Sequence, residues 1–277
     1  MTSLLGLSTY AYFWRMSDRV PEPMSLDDAM RDAASHEGVD LFQICDHLPL
    51  DTASDERLAA VRALADELGL TLEVGTRGTH PDHLARYLHV AQQLGAALVR
   101  SMWTSGDDQP DPTEAERRLR QALPAYEAAG VTLALETYEV VATADLVAVV
   151  ETIASPQLGI CLDPANTVAR LEHPTEVVAA AAPYTRNWHV KDSGFTRSPG
   201  WVGFQYTGVP TGTGVLDYDA VRAAIDPHAR GINRVIEFWL PWQDASVVNT
   251  GDPAQTTTRV EAAWTEHTIE YIRSKES

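Results

Sequence analysis

The sequence of 277 residues contains only two cysteines, Cys45 and Cys161. Disulfide frameworks are typical of small secreted chains rich in cysteine, so two isolated thiols predict reduced core residues. The chain also has no apolar run near the roughly 18 residues that a membrane-spanning helix needs. The first residues, MTSLLGLSTYAYFW, carry no basic segment before their apolar run and no small-residue cleavage site, so we interpret them as a strand. We therefore expect a cytoplasmic protein that does not bind membranes.

Basic residues are scarce, because 21 Lys and Arg stand against 39 Asp and Glu, a formal net charge of −18. A surface of that sign repels phosphate backbones, and no local cluster of Lys and Arg makes an exception, so nucleic acid is not an expected partner. Low-complexity linkers are also missing. A chain with 44% hydrophobic residues is expected to form a sizeable core. We predict one domain over residues 1–277, with a homo-oligomer possible.

Short apolar runs alternate with segments of helical period along the whole chain. Eight strands are predicted at Leu4–Thr9, Asp40–Cys45, Thr71–Gly75, Leu98–Met102, Thr132–Thr137, Leu158–Asp163, Asn187–Lys191 and Val235–Trp239. Helices are predicted near residues 25–37, 54–68, 81–94, 112–129, 143–154, 174–182, 217–225 and 256–273. Ser25 with Asp28 has the pattern of a helix capping box. Strict alternation predicts an α/β fold with a parallel sheet, most economically a (β/α)8 TIM barrel.

An open, doubly wound sheet is the alternative to the barrel. Such a sheet usually carries a glycine-rich phosphate turn after its first strand. The segment STYAYFW that follows the first predicted strand here contains no glycine. The sequence therefore favours the barrel.

Four consecutive late strands each end with one side chain that could bind a metal ion. TLALET delivers Glu136, LGICLD delivers Asp163, NWHVK carries His189, and RVIEFW carries Glu237. Active sites of TIM barrels lie at the carboxyl ends of the strands, so these groups are expected to converge. Three carboxylates and an imidazole in a partly dry site repel one another unless a cation lies between them. Oxygen ligands with one nitrogen predict a divalent metal ion, Mn²⁺ or Mg²⁺ first, with Co²⁺ and Zn²⁺ possible.

The segment RNWHVKD predicts which face of the seventh strand is inside the barrel. Asn187, His189 and Lys191 share one face, and the apolar Trp188 and Val190 share the other. Apolar residues of a barrel strand pack outward against the helices, so the polar face points inward. We expect Lys191, one step further out than His189, to meet the substrate.

The motifs ALET, CLDPANT, NWHVKD and VIEFW resemble the xylose isomerase-like TIM-barrel superfamily, and the order of elements extends the resemblance over the whole chain. The superfamily includes sugar isomerases, ketose 3-epimerases, inosose dehydratases and endonuclease IV. In its epimerases, the glutamates that match Glu136 and Glu237 bind the metal and move the substrate proton. The residues that match Asp163 and His189 complete the metal shell. The resemblance implies the same roles here.

One departure and one second likeness complicate the assignment. Many epimerases carry Asp-x-x-His on strand six, where the histidine contacts the substrate, whereas here Asp163 is followed by Pro, Ala and Asn166. We keep Asn166 as a predicted substrate contact. The stretch LDPANT…EHPTEVV…PYTRNWHVKD, followed by GFQYTGVPTGTGVLD, resembles the branch that contains 3-oxoisoapionate decarboxylase, which cleaves a branched β-keto sugar acid.

Other substrate contacts are predicted at the barrel mouth. His47 follows strand two, and Arg100 lies on strand four. Aromatic residues suggest a wall against which a sugar could pack: Tyr10, Tyr12, Trp14, Trp103 and Trp239. The glycine-rich stretch GVPTGTGVLD is interpreted as a turn into the next helix and not as a phosphate loop, because Asp217 would face the phosphate. Trp201, Phe204 and Tyr206 could form a lid.

These features lead to a metal-dependent isomerase or epimerase of a small, non-phosphorylated polyhydroxy ketone or aldehyde. Glu136 or Glu237 would take a proton beside the carbonyl to give an enediolate, the other would return one, and Lys191 would stabilise the oxyanion. A metal-dependent decarboxylase of a branched β-keto sugar acid is the alternative, since loss of CO₂ yields the same enediolate. An endonuclease and a non-catalytic sugar-binding barrel are further alternatives, the first disfavoured by the charge of −18.

Overall fold

A computed structural model describes residues 3–198, 202–244 and 252–276. The described residues form ten strands: β1 (Leu5–Ser8), β2 (Leu41–Cys45), β3 (Thr71–Gly75), β4 (Leu98–Ser101), β5 (Thr132–Glu136), β6 (Leu158–Leu162), β7 (Thr185–Val190), β8 (Ser193–Arg197), β9 (Phe204–Gly208) and β10 (Asn233–Ile236). Eight of them close a parallel barrel in the order β1, β10, β7, β6, β5, β4, β3, β2. The strands β8 and β9 pair with each other in an antiparallel hairpin. The predicted α/β barrel is confirmed.

The helices surround the barrel: α1 (Leu26–Ser35), α2 (Asp55–Leu68), α3 (Pro81–Leu94), α4 (Pro112–Ala129), α5 (Thr143–Ile153), α6 (Pro164–Thr167), α7 (Pro174–Ala181), α8 (Tyr218–Ile225), α9 (Pro227–Arg230) and α10 (Pro253–Glu276). The predicted capping box of Ser25 and Asp28 begins α1, because each side chain accepts a hydrogen bond from the other residue's backbone N–H. None of the helices formed by the described residues is long and apolar enough to cross a membrane.

The core lies between the barrel and the helices, as the pattern of β7 predicts. Trp188 is fully buried and stacks on Tyr218 of α8, with ring centroids 4.9 Å apart. Asn187 and His189 are also fully buried and hydrogen-bond across the barrel interior, to Glu73 and Gln43 respectively. Outward apolar residues and inward polar residues of one strand therefore occupy different layers.

Several boundaries differ from the sequence prediction. The last barrel strand ends at Ile236, before Glu237, whereas the prediction extended it to Trp239. The hairpin of β8 and β9 and the short helices α6 and α9 were not predicted. The predicted lid residues Phe204 and Tyr206 lie on β9, and Trp201 lies outside the described residues.

Candidate metal and substrate site at the barrel mouth

The four predicted metal ligands lie together at the mouth, the end of the barrel where the strands' carboxyl ends meet. Glu136 ends β5, His189 lies in β7, and Asp163 and Glu237 directly follow β6 and β10. One ligand atom from each lies within 4.8 Å of the others. His189 Nδ1 is 3.4 Å from Glu237 Oε2, 3.6 Å from Glu136 Oε1 and 3.9 Å from Asp163 Oδ2. We call these four residues the mouth cluster.

The imidazole of His189 has two different environments. Its Nε2 lies 2.8 Å from Gln43 Oε1. Because an amide oxygen can only accept, Nε2 carries the proton and donates. Nδ1 forms no hydrogen bond with the described residues and faces the three carboxylates. Burial alone would lower the pKa of His189, but the neighbouring acidic groups raise it, so a metal ion would take the place of a proton on Nδ1. In a typical metal-binding histidine, one ring nitrogen binds the metal and the other donates its N–H to an oxygen. The arrangement of Nδ1 and Nε2 in His189 matches this pattern.

Lys191 is buried within the site and is not a solvated residue at its rim. Its Nζ lies 2.7 Å from Asp163 Oδ2 and 3.4 Å from Glu237 Oε2. The ammonium also lies 4.5 Å from the ring centre of Trp239, which is cation–π geometry. Burial alone would lower the pKa of Lys191, but the two carboxylates outweigh it and raise the pKa. Lys191 is therefore an ammonium group in contact with the mouth cluster.

Arg100 and Asn166, both predicted to contact substrate, contact Glu136 in the structure. Arg100 Nε lies 2.6 Å from Glu136 Oε2, and Asn166 Nδ2 donates to Glu136 Oε1 at 2.7 Å. Burial alone would raise the pKa of Glu136, but Arg100 and His189 outweigh it and lower the pKa. Glu136 is thus held as an ionised carboxylate. Substrate contact by Arg100 and Asn166 stays a prediction.

The other two carboxylates respond to burial differently. Burial raises the pKa of Asp163 to about 6, against the opposing effect of the Lys191 ammonium. Burial would also raise the pKa of Glu237, but His189 and Lys191 outweigh it and lower the pKa. The mouth cluster therefore contains one carboxyl group that binds a proton below about pH 6 and two that stay ionised to lower pH.

Tyr10 and His47 lie beside each other at the mouth, on the side of β1 and β2. They line a cavity of about 150 Å³. The Tyr10 hydroxyl donates to Asp46 Oδ2 at 2.7 Å and accepts from Arg77 at 2.8 Å. Asp46 has a backbone φ of 49°, in the left-handed region that residues other than glycine adopt rarely, often at functional sites. Burial lowers the pKa of His47, which favours its neutral form.

Three of the five residues of the predicted aromatic wall line one cavity, and their contact with a sugar stays a prediction. Tyr10, Trp14 and Trp239 line a cavity of about 230 Å³, together with Phe13, Phe238, Leu240 and Glu261. Tyr12 is fully buried instead, and its hydroxyl donates to Asp32. Trp103 is also buried and donates from its indole N–H to the carbonyl of Pro110. Tyr12 and Trp103 are core residues.

The glycine-rich stretch after β9 binds a carboxylate of its own chain. The amides of Gly212 and Gly214 donate to Asp192 Oδ2 at 2.8 and 2.9 Å, and the amide of Leu216 donates to Oδ1 at 3.0 Å. Asp217 then caps the N-terminus of α8, as predicted. Since Asp192 directly follows Lys191, the loop fixes the chain at the exit of β7.

The sequence analysis did not connect either cysteine with the site. Cys45 and Cys161 are buried free thiols, and each offers a sulfur within 4.8 Å of ligand atoms of His189 and one glutamate. Burial raises the pKa of both, that of Cys161 to about 11. Protonated thiols are poor metal ligands, so the three carboxylates and Nδ1 of His189 are the donors that fit a divalent ion.

Comparison with known proteins gives concordant results. The sequence model of the family described as xylose isomerase-like TIM barrel matches residues 30–273. The chain is 46% identical over 271 residues to the 3-oxo-isoapionate decarboxylase of Pectobacterium atrosepticum, covering 98% of this chain and 95% of that protein. A xylose isomerase-like TIM barrel protein from Mycobacterium smegmatis in complex with magnesium has the same fold, with a TM-score of 0.66, 19% identity, and coverage of 96% and 97%. A D-psicose 3-epimerase gives a TM-score of 0.67, 16% identity, and coverage of 96% and 98%.

Proposed function

The chain belongs to the xylose isomerase-like TIM-barrel family, and from that premise we propose that it is a metal-dependent decarboxylase of a small, branched β-keto sugar acid. The observation that carries the proposal is the 46% identity, over nearly the whole chain, to a 3-oxo-isoapionate decarboxylase. The buried ammonium of Lys191 beside a cluster of side chains that could hold a metal ion supports it. This reverses the order of the two functions that the sequence alone favoured.

We propose that Glu136, Asp163, His189 and Glu237 hold one divalent metal ion. The fit rests on the convergence of three buried carboxylates on the free Nδ1 of His189. A bound Mg²⁺ or Mn²⁺ would supply the positive charge that stabilises an enolate oxygen. The remaining steps belong to side chains of this chain.

Decarboxylation of a β-keto acid breaks the bond between the carboxyl carbon and its neighbour. The electron pair moves toward the keto group as CO₂ leaves, and a proton later adds to the same carbon. No base is needed at that carbon, because the departing CO₂ leaves the electron pair behind. We assign to Lys191 the stabilisation of the negative charge that develops on oxygen, because its ammonium already lies within the site. Glu136 and Glu237 are the candidate carriers of the incoming proton; because both are ionised in the resting site, either must first take that proton from water or from the Lys191 ammonium, which lies 3.4 Å from Glu237 Oε2.

The charge of the site suits an anionic substrate. The three carboxylates of the mouth cluster lie against two buried cations, Arg100 and Lys191. The formal sum is −1 without a divalent ion and +1 with it. A net positive pocket favours a carboxylate-bearing substrate over a neutral sugar. Tyr10, His47, Arg100 and Asn166 remain the proposed substrate contacts.

An isomerase or epimerase is the second candidate. The observation that favours it is the placement of two glutamates around one imidazole nitrogen, 3.4 and 3.6 Å from it. Glu136 and Glu237 could therefore take and return a proton at one carbon. The change of Asp-x-x-His to Asp163–Asn166 removes the histidine that many epimerases use.

One experiment separates the two candidates. The metal-loaded enzyme is incubated in D₂O with a panel of ketoses, inososes and keto sugar acids, while CO₂ and deuterium incorporation are measured. A decarboxylase releases one CO₂ per product from a keto sugar acid and leaves one deuterium on the product carbon. Deuterium in recovered ketose without release of CO₂ would contradict the proposal and favour the isomerase or epimerase.

A further inference from the structure

A second group of polar side chains lies deeper in the barrel than the mouth cluster. Gln43 of β2, Glu73 of β3 and Asn187 of β7 are buried, and Asn233 of β10 is half-buried. Four different strands thus contribute to one network, which we call the floor cluster. It meets the mouth cluster through a hydrogen bond between Gln43 and His189.

Glu73 is the acceptor at the centre of the floor cluster. Its Oε2 accepts from Gln43 Nε2 at 2.9 Å and from Asn187 Nδ2 at 2.9 Å. Its Oε1 accepts from Asn233 Nδ2 at 2.7 Å. Both carboxylate oxygens are therefore engaged, and all three partners are amide donors.

This arrangement fixes the orientation of the Gln43 amide. A carboxylate accepts only, so the NH₂ of Gln43 must face Glu73, and it also reaches Asn187 Oδ1 at 3.2 Å. The oxygen of Gln43 then faces the opposite side. There it accepts from the Cys45 thiol at 2.9 Å and from His189 Nε2 at 2.8 Å. If the amide were reversed, its NH₂ would point at both of those groups.

The orientation of Gln43 in turn determines which nitrogen of His189 is free. An acceptor opposite Nε2 requires the proton on Nε2, and this leaves the lone pair on Nδ1, toward the carboxylates. A donor opposite Nε2 would favour the reverse tautomer, with a proton on the side where a metal ion must bind. The hydrogen bond to a ligating histidine commonly changes metal affinity by about 10- to 100-fold.

We propose that Glu73 is a positioning residue for the metal site, acting through Gln43 to hold His189 in the tautomer that presents Nδ1. The proposal rests on the proposed metal site and not on which reaction the site catalyses. Glu73 does not touch the mouth cluster itself, because Gln43 stands between them. Its effect should therefore be seen in metal binding before any substrate is added.

The test compares Glu73→Met with Asn233→Ala in the full-length protein. Methionine has a length similar to that of glutamate but no strong acceptor, so the NH₂ of Gln43 loses the carboxylate that fixes its orientation. Asn233→Ala also removes a hydrogen bond to Glu73, but on the oxygen that does not bind Gln43. Mn²⁺ dissociation constants are measured by competition with a chelator, and the visible spectrum of the Co²⁺-loaded protein reports the ligand set.

We expect Glu73→Met to weaken Mn²⁺ binding by about 10- to 100-fold and to change the Co²⁺ spectrum. Asn233→Ala should stay within about threefold of the wild type. Equal losses in both variants, or none in Glu73→Met, would overturn the proposal. If Glu73→Met fails to fold, Gln43→Met decides, because methionine has similar length but no strong acceptor for Nε2–H. Wild-type affinity in folded Gln43→Met would overturn it.

The Mn²⁺-binding test of Glu73 can be distinguished from a test of the proposed decarboxylation. Absence of decarboxylation with intact Mn²⁺ binding would refute the function and leave the role of Glu73 unaffected. Absence of Mn²⁺ binding by the wild-type protein would refute the metal site, and the role of Glu73 with it.

Discussion

The floor cluster and the mouth cluster are both groups of buried polar side chains inside one barrel, but their hydrogen-bonding groups and charges are balanced differently. In the floor, one carboxylate accepts from three neutral amides, so the donors and acceptors match. In the mouth, three carboxylates crowd around a single imidazole nitrogen. The floor is complete as a hydrogen-bond network, whereas the mouth needs further positive charge. Burial alone does not identify a functional site, whereas the convergence of several carboxylates on one point does.

The largest expected effect is that of Glu237→Gln in the mouth. We expect turnover to fall by about 10²- to 10⁴-fold, because the change removes both a metal ligand and a proton carrier. The free energy of unfolding should also fall, because the lowered pKa of Glu237 means that its ionised form stabilises the folded state, but the variant should stay folded. Steady-state kinetics and urea unfolding measure the two quantities. Glu116→Gln on the outside of α4 is the control and should keep normal turnover. Near-normal turnover of Glu237→Gln with metal bound would contradict the assignment.

Lys191→Met should separate catalysis from metal binding. We expect kcat to fall by about 10²- to 10³-fold, because a charge that stabilises the oxyanion is lost. Mn²⁺ affinity should stay the same or increase, since a cation next to two of the ligands is removed. Kinetics and chelator competition give both values, with Lys275→Met on α10 as the surface control. Loss of Mn²⁺ binding with an unchanged kcat would contradict the role of Lys191 in stabilising the oxyanion and would indicate a role in metal binding instead.

Gly214→Ala tests whether the loop that hydrogen-bonds to Asp192 must keep its conformation for catalysis. An added Cβ would lie 2.2 Å from the Ser193 carbonyl oxygen and 2.3 Å from Asp192 Oδ1, so the loop must shift. We expect kcat to fall about tenfold through displacement of Lys191, which precedes Asp192. At Gly194 the nearest side-chain atom is 3.4 Å away, so Gly194→Ala is the control. Equal kcat values in the two variants would argue against a role for the loop.

The smallest effect concerns pH. Since the pKa of Asp163 is raised to about 6, its carboxyl group binds a proton below that pH and must lose it to bind a metal ion. Mn²⁺ affinity should therefore fall by at least about tenfold for each unit of pH below about 6, because His189, whose pKa is also raised, must lose a proton as well. Chelator competition between pH 5 and pH 7.5 checks this, and Asp163→Asn is expected to lose the affinity itself. An affinity independent of pH would contradict the assigned ligand.

The sequence predicted the barrel because the eight predicted strands alternate with predicted helices and several of those helices begin with clear caps. It also predicted that the four members of the mouth cluster come together, since each lies close to the carboxyl end of a predicted strand. The hairpin of β8 and β9 was missed, although FQYTG has the alternation and the aromatic residues of a strand. Because the segment was interpreted as a lid, its two short strands were not predicted.

The contacts within the site could not be predicted because they depend on register between strands. Arg100 and Asn166 were assigned to substrate, and only the pairing of β4 with β5 and of β5 with β6 brings them to Glu136. The positions of Gln43 and Glu73 within predicted strands were a weaker indication of a polar network inside the barrel, and the sequence analysis did not consider it. A lone polar residue within a short apolar strand, as in TLEVG, indicates an interior network when a barrel is expected.

The central claim is that Glu136, Asp163, His189 and Glu237 bind one divalent metal ion. Anomalous diffraction from crystals grown with Mn²⁺ tests it most directly. We expect a single strong peak at the mouth, about 2.0–2.2 Å from one atom of each of the four side chains. A map with no peak there, while the four side chains keep their contacts with one another and with Lys191, would contradict the account.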